Sequence, residues 1–206
     1  MSGEELKTIF TKVKNPKAAV LLSHGASNDL NQKLMVLTSG KFAKKSWASL
    51  RYNFGYVNNP LVKVSWEGLV ADGQAALGKL EDLSGLSKFW LVGKSMGGLV
   101  SVSLAQKYPD KVLGVGIYGF PIGTYARYFK GKRELRLAQP LIVVHGQKDS
   151  GGKRVVEKVL QDEKVDNFKV FGIPGADHSL RGSEKQAVRI MVAEISSRQS
   201  LSAAAS

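Results

Sequence analysis

The chain contains no cysteine and only three histidines among its 206 residues. Disulfide bonds are therefore excluded as a source of stability, an absence that is compatible with any cellular compartment. The scattered histidines, without cysteine, form no ligand cluster of recognisable metal-binding spacing. The sequence thus predicts neither a metal nor another cofactor.

Long hydrophobic runs are also absent. No apolar run approaches the length needed to cross a bilayer, and Met1-Ser2-Gly3-Glu4-Glu5 lacks the basic start and apolar stretch of a secretory signal. We therefore expect a cytoplasmic protein with no membrane partner. No repeat, linker or second compositional block divides the chain. We expect a single domain over residues 1–195 and a small, polar, flexible tail over residues 196–206.

Acidic residues are scarce: 17 Asp and Glu stand against 30 Lys and Arg, which gives a net charge of +13. The segment 121–139 is long for a simple connection, and it interleaves basic and aromatic side chains: Arg127, Lys130, Lys132, Arg133 and Arg136 with Tyr125, Tyr128 and Phe129. It is interpretable as a solvated basic helix, as a partial cap over a site, or as an attractor of an anionic substrate or an acidic carrier protein. Nucleic acid stays a further alternative, although no recognised nucleic-acid-binding motif is present.

The order of apolar segments predicts alternating strands and helices. We expect an edge strand over 6–13, a helix over 33–45, a strand over 46–52 and a helix over 68–80, followed by further strand–helix alternation. Such alternation is typical of βαβ units and predicts an α/β fold.

The most informative motif is Gly93-Lys94-Ser95-Met96-Gly97, between an apolar strand-like run and a helix-compatible stretch. In a nucleophile elbow, Ser95 would occupy a strained turn with its hydroxyl exposed above the sheet, and the Met96 amide would be free to donate a hydrogen bond. A helix N-terminus behind the serine also favours developing negative charge. The alternative is a glycine-rich turn whose serine only caps a helix.

Two aspartates are candidates for the acid of a catalytic triad. Asp149 follows an apolar strand, where it could accept a hydrogen bond from a histidine and fix its tautomer. Its alternative role is to cap a helix that begins near Gly152. Asp177 is adjacent to His178, and because neighbouring side chains usually diverge, it is the weaker candidate.

Only one of the three histidines has the right place in the order for a general base. His178 lies on a loop after the last strand, from which it could approach the serine. His24 and His145 each end an earlier strand and precede a glycine. We interpret both as turn histidines that are hydrogen-bonded to nearby backbone.

These motifs together resemble a known family. The His24-Gly25 opening, the segment 51–54, the elbow at Ser95, the turn 145–149 and the loop 175–180 resemble small α/β-hydrolases of the dienelactone-hydrolase-like group. The last two are especially similar to the branch that contains the testis-expressed and NSL-complex hydrolase-like proteins. The resemblance spans residues 18–195 and implies the α/β-hydrolase fold: a mostly parallel sheet with helices on both faces and a minimal lid or none.

The resemblance also implies functional residues. Ser95 would be the nucleophile, Asp149 the acid and His178 the base, and the backbone amides of Met96 and of Ala26 or Ser27 would form the oxyanion hole. We expect Phe54, Tyr56 and Phe120 at the substrate. Because dienelactone hydrolases proper use a cysteine nucleophile, which this chain lacks, the sequence argues against that particular activity.

The prediction is a serine hydrolase that cleaves a carboxylic ester or thioester of a small or flexible acyl group through an acyl-enzyme on Ser95. The alternative is a non-enzymatic protein-interaction module that retains the fold, since parts of the similar branch resemble subunits of larger assemblies.

Overall fold

A computed structural model describes residues 6–59, 61 and 63–204 of the chain. The segment Met1–Glu5, from which the absence of a secretory signal was predicted, lies outside the described residues. The elements in chain order are β1 (Thr8–Thr11), β2 (Ala18–Ser23), α1 (Lys33–Ala43), β3 (Trp47–Tyr52), α2 (Gly55–Asn58), α3 (Trp66–Ser84), β4 (Phe89–Lys94), α4 (Met96–Lys107), β5 (Val112–Tyr118), α5 (Ile122–Tyr128), β6 (Leu141–Gly146), α6 (Gly152–Asp162), β7 (Phe168–Ile173) and α7 (Glu184–Ala204).

The strands form one sheet in the order β1-β3-β2-β4-β5-β6-β7. The first strand pairs antiparallel with β3, and every other neighbouring pair is parallel. All residues of β2, β3, β4 and β6 are buried, which explains their almost continuous apolar sequences, since a parallel sheet covered on both faces has no wet side. The predicted mostly parallel sheet is confirmed.

Helices cover both faces of this sheet. Alternate residues of β4 point to opposite faces: Phe89 and Leu91 join the apolar layer under α3, α4 and α6, whereas Trp90 and Val92 join the layer under α1 and α7. The strand order reverses between β2 and β4, because the chain first adds β3 on one side of β2 and then β4 on the other. In open α/β sheets, ligands bind at the carboxyl ends of the strands beside such a reversal.

The helix boundaries show which local signals the periodicity missed. The helix predicted from residue 68 begins at Trp66, because the Ser65 side chain accepts a hydrogen bond from the Gly68 N–H and caps it. It ends at Ser84, where Gly85 takes a left-handed conformation with φ of 68°.

Helix α7 continues into the segment 196–206, for which we expected a flexible tail, and ends at Ala204. The Trp90 indole Nε1–H donates to Gln199 Oε1 at 3.1 Å and ties this part of the helix to the sheet. Residues 205 and 206 lie outside the described part of the chain. No helix over residues 6–59, 61 and 63–204 is both long and apolar enough to cross a bilayer.

Candidate active site

The turn between β4 and α4 places Ser95 in a strained backbone conformation. Its φ of 52° and ψ of −120° are unusual for a residue with a side chain. The turn is tight because a Cβ at Gly93 would lie 2.3 Å from the Gly97 carbonyl group, and a Cβ at Gly97 would lie 2.4 Å from the His24 carbonyl oxygen. Glycine at both positions is therefore a steric requirement of the turn.

The Ser95 hydroxyl is directed to a histidine and does not cap the helix. Ser95 precedes the first residue of α4, yet its side chain makes no capping hydrogen bond. Its Oγ lies 2.9 Å from His178 Nε2. Met96 is the first residue of α4, and its N–H therefore has no acceptor within the helix. The geometry favours the elbow over the capping alternative.

The other ring nitrogen of His178 contacts Asp149. His178 Nδ1 lies 2.6 Å from Asp149 Oδ2, and Asp149 Oδ1 accepts from the Ser150 N–H at 2.7 Å. Burial acts to raise the pKa of the Asp149 carboxyl, but the hydrogen bond and charge of His178 outweigh it, so that the pKa lies below its ordinary value. The N-cap residue of α6 is Gly151, and the hydrogen bonds of the Asp149 carboxylate go to His178 and Ser150 and not to the helix, which argues against the capping role.

Asp177, the rival acid, is occupied within its own loop. Its Oδ1 accepts from the Ser179 N–H at 2.9 Å, from the Ser179 hydroxyl at 2.6 Å and from the Leu180 N–H at 3.1 Å. These hydrogen bonds, first that of the Ser179 hydroxyl, hold the pKa of the Asp177 carboxyl below its ordinary value. Of the two aspartates, only Asp149 bonds to His178.

His24 and His145 are buried and bonded to the backbone, as the sequence predicted. His24 Nδ1 lies 2.8 Å from the Gly25 carbonyl oxygen, and its Nε2 accepts from the Phe54 N–H at 3.2 Å. His145 Nδ1 accepts from the Phe120 N–H at 3.2 Å. Desolvation by burial lowers the pKa of both imidazoles, so each is held neutral.

A cleft of about 500 Å³ opens beside Ser95 and His178, between the N-terminal ends of α1 and α7. Of the two predicted partners for the Met96 amide, Ala26 lies on its wall. Ser27 borders a separate cavity together with Tyr56. The Gly25 N–H donates to Gln32 Oε1 at 3.0 Å and is therefore engaged elsewhere. Of Ala26 and Ser27, only Ala26 lines the same cleft as Ser95.

Two of the three aromatic residues expected at the substrate lie in the core. Phe54 is fully buried and meets His24 and Tyr52 edge-on, with ring centroids 4.8 Å and 5.1 Å apart. Phe120 is buried next to Tyr125. Their assignment as substrate-binding residues is wrong for this structure, because both rings fill space under the helices. Tyr56 is half-buried at the neighbouring cavity, outside the lining of the Ser95 cleft.

Lys94, for which no sequence pattern predicted a role, is 3% exposed and contributes to the cleft. Desolvation lowers its pKa to about 8, although the charges of Asp149 and Asp177 oppose this shift. One feature of the sequence could have revealed this residue: a lysine at the end of an otherwise apolar strand. A lysine is rarely buried in such a position unless it has a partner.

The basic segment 121–139 packs against α3 and α4. Arg133 donates to Glu67 Oε1 at 2.6 Å and lies 6.0 Å from the Trp66 ring centroid, and Gln106 donates to the carbonyl oxygens of Glu134 and Arg136. Among the described residues that line the Ser95 cleft, none comes from this segment. The contacts support a solvated basic layer over the helices and not a cap on this cleft.

Metal-ligating side chains do not gather in this site or elsewhere in the part of the chain that the structure describes. No group of three or more His, Cys, Asp or Glu residues there is placed to hold an ion. The arrangement around Ser95 offers instead a hydroxyl, an imidazole, a carboxylate and free backbone amides. These are groups suited to acyl transfer.

The sheet order and the sharp turn at Ser95 together define an α/β-hydrolase fold. A family model described as an alpha/beta hydrolase domain matches residues 16–199, and the chain belongs to this family. No curated protein matches the sequence.

Solved structures of low sequence identity share this fold. An alpha-beta serine hydrolase homologue from Coxiella burnetii has a TM-score of 0.78 and 20% identity, with 92% of this chain and 91% of that chain covered. A serine hydrolase without a lid from Xanthomonas campestris has a TM-score of 0.70 and 18% identity over 89% and 88% of the two chains. A dienelactone hydrolase from Anabaena variabilis has a TM-score of 0.75 and 15% identity over 92% and 90%.

Proposed function

We propose that the protein is a serine hydrolase that cleaves a carboxylic ester or thioester through an acyl-enzyme on Ser95. The observation that carries this proposal is the continuous contact from Ser95 Oγ through His178, at 2.9 Å, to Asp149, at 2.6 Å. Three side chains from distant parts of the sequence meet at the carboxyl edge of the sheet in the order nucleophile, base and orienting acid.

Each group has a defined task in the proposed reaction. His178 Nε2 takes the Ser95 proton as Oγ attacks the substrate carbonyl carbon, and Asp149 holds the imidazole in the tautomer that carries a proton on Nδ1. The backbone N–H groups of Met96 and Ala26 stabilise the oxyanion, each by about 3 kcal/mol. The tetrahedral intermediate then expels the alcohol or thiol, which receives the proton from His178. Water releases the acyl group by the reverse sequence of proton transfers.

The size of the cleft supports a small or flexible acyl group. Its volume is about 500 Å³, within the range of sites for small ligands, and segment 121–139 supplies no wall to it. We therefore expect short-chain esters to be hydrolysed in preference to emulsions of long-chain triglycerides. A clear preference for the emulsions would contradict this part of the proposal.

A panel of short-chain para-nitrophenyl esters and acyl thioesters tests the activity. We expect turnover that is abolished in Ser95→Ala. The matched control Ser103→Ala, a change of the same kind within helix α4, should leave turnover intact. Turnover that survives in Ser95→Ala would place the reaction elsewhere. A folded protein that turns over no member of the panel would support the alternative of a protein-interaction module.

Three finer points stay predictions. The first is the membership of the testis-expressed and NSL-complex branch, and the second is the cytoplasmic location. The third is the choice of partner: a small ester or thioester, an acidic carrier protein, or nucleic acid bound through the positive charge. Affinity for nucleic acid that falls steeply with salt would reveal non-specific phosphate contacts.

A further inference from the structure

The ammonium group of Lys94 lies at the Ser95 cleft without a hydrogen-bond partner among the described residues. The residue is 3% exposed and lies directly before Ser95. An ammonium has three N–H donors, and Nζ makes no hydrogen bond or ion pair with any residue in the described part of the chain. Because the residue is almost fully buried, its charged group is incompletely hydrated, so a bound group that accepts its hydrogen bonds would be favoured.

The position of Nζ places it next to the catalytic imidazole. A Cβ at residue 119 would lie 2.8 Å from Lys94 Nζ and 3.4 Å from His178 Cε1. The stem of the same lysine passes Gly25, where a Cβ would lie 3.3 Å from Lys94 Cγ. The side chain therefore crosses the carboxyl edge of the sheet, from the end of β2 towards the end of β5.

The two carboxylates whose charges reach Lys94 are both committed to other donors. Asp149 accepts hydrogen bonds from His178 and Ser150, and Asp177 accepts from Ser179 and Leu180. The charges of these carboxylates favour the ionised form of Lys94, but neither carboxylate accepts a hydrogen bond from its ammonium group. The positive charge at the floor of the cleft is therefore available to a bound molecule.

The rim of the cleft adds to this positive charge. Lys33 on α1 and Arg181 in the loop before α7 both line it, together with one carboxylate, Glu184. Glu184 is bound to Lys33 at 3.0 Å, whereas the exposed Arg181 has no ion pair among the described residues. Three cations and one anion give the lining an excess of two positive charges.

We propose that the cleft selects esters or thioesters that carry a second, anionic group, a carboxylate or phosphate, which Lys94 and Arg181 bind while Ser95 attacks the carbonyl carbon. This inference rests on the proposed hydrolase function and names its substrate class. Neutral esters of the same length fit the same volume but leave the Lys94 donors unsatisfied. Discrimination therefore arises from an incompletely hydrated ammonium group that only the anionic substrate can pair with.

Two matched substrate pairs test the proposal on the acyl and leaving-group sides. The first pair is the para-nitrophenyl monoester of adipic acid and para-nitrophenyl hexanoate. The second is the butanoyl thioester of mercaptopropionate and that of propanethiol. For at least one pair, we expect kcat/KM to favour the anionic member by about tenfold, as for a hydrogen bond to a charged group.

Charge-removing variants locate the source of this preference. Lys94→Gln should lower the ratio of anionic to neutral kcat/KM by about tenfold, and Arg181→Gln by about threefold to fivefold, because that side chain is exposed. Arg189→Gln, an exposed arginine within α7 and outside the cleft lining, is the control and should leave the ratio unchanged. Thermal melting verifies that each variant is folded.

The pH dependence offers a readout that a structural lysine would not give. Since Lys94 titrates at about pH 8, the preference should decline above that pH in the unaltered protein. The other groups that face Lys94 are Asp149, Asp177, His145 and His178. The carboxylates stay ionised above neutral pH, and the imidazoles affect both members of a pair alike.

The outcomes separate this proposal from the hydrolase proposal. Equal turnover of both members of each pair, or an equal loss for both in Lys94→Gln, would overturn the anionic specificity while leaving the hydrolase intact. In the second case, Lys94 would serve only as a counter-charge for Asp149. No turnover of any ester by folded protein, together with an unreactive Ser95, would overturn both proposals.

Discussion

Asp149 Oδ2 and His178 Nδ1 lie 2.6 Å apart although 29 residues separate them in the sequence. The two residues follow β6 and β7, which are paired in parallel at the edge of the sheet. Their loops emerge side by side for that reason, because parallel neighbours end at the same edge. The contact is thus a product of the sheet order. Sequence adjacency, by contrast, gives Asp177 no contact with the imidazole of His178.

This contact predicts opposite outcomes for two aspartates near the same histidine. Asp149→Asn should lower kcat by about 10³-fold to 10⁴-fold, since an amide stabilises the wrong tautomer of His178 and does not offset the charge of the imidazolium. Asp177→Asn should change kcat by less than about threefold, because its carboxylate bonds only within its own loop. Steady-state kinetics on a short-chain ester measure both values.

The two variants control for each other, since each removes one carboxylate from a loop at the same edge of the sheet. If Asp177→Asn were the inactive variant and Asp149→Asn the active one, the assignment of the acid would be reversed. A comparable loss in both variants would indicate a general effect of charge at the site.

The backbone packing at the elbow predicts a large effect from a single methyl group. Gly97→Ala should lower the free energy of unfolding by about 3 kcal/mol or more, because the new Cβ would lie 2.4 Å from the His24 carbonyl oxygen. Gly40→Ala in α1 is the matched control: its Cβ meets nothing within 4 Å. It should stabilise the protein by about 0.5 to 1 kcal/mol. Urea unfolding measures both; similar effects of the two changes would contradict the tight turn.

The two buried histidines predict loss of stability in acid. Because burial lowers the pKa of His24 and His145 below 6.5, the unfolded chain takes up protons at a higher pH than the folded protein does. The free energy of unfolding should therefore be fully retained above about pH 6.5 and fall below it, by about 1.4 kcal/mol per pH unit for each proton.

Unfolding titrations of His24→Gln and His145→Gln test this origin. Both variants lose buried hydrogen bonds and start from a lower stability, so the slope against pH is the informative quantity. Each variant should lack the contribution of one proton as the pH falls below about 6.5. Slopes identical to that of the unaltered protein would mean that neither imidazole is held neutral.

Much of the architecture could be predicted from sequence because local patterns determine it. The apolar runs of β2, β4 and β6 predict strands that are buried on both faces. The glycines of the elbow predict a tight turn with no room for a Cβ. The order Ser95, Asp149, His178 is informative because three strands in one parallel sheet deliver all three residues to one edge. These features depend on backbone geometry, which residue types reveal directly.

The features that sequence reasoning missed depend on tertiary contacts. Phe54 and Phe120 follow strands, as pocket residues do, but only the packed helices show that their rings fill the core. The polar stretch after residue 195 has little helical periodicity, and a hydrogen bond from Trp90, 109 residues earlier in the chain, ties Gln199 of α7 to the sheet. Lys94 occupies a variable position of the Gly-x-Ser-x-Gly motif, and only the folded structure shows that its side chain is buried at the cleft. A pattern along the chain cannot reveal such distant partners.

Labelling with a fluorophosphonate probe tests the central claim most directly, since the probe reacts with a serine only when a neighbouring base activates it. Peptide mapping by mass spectrometry should find the adduct on Ser95 of the folded protein. We expect the adduct to be absent in Ser95→Ala and strongly reduced in His178→Ala. Folded protein without an adduct, or with an adduct on another residue that persists in Ser95→Ala, would contradict the account.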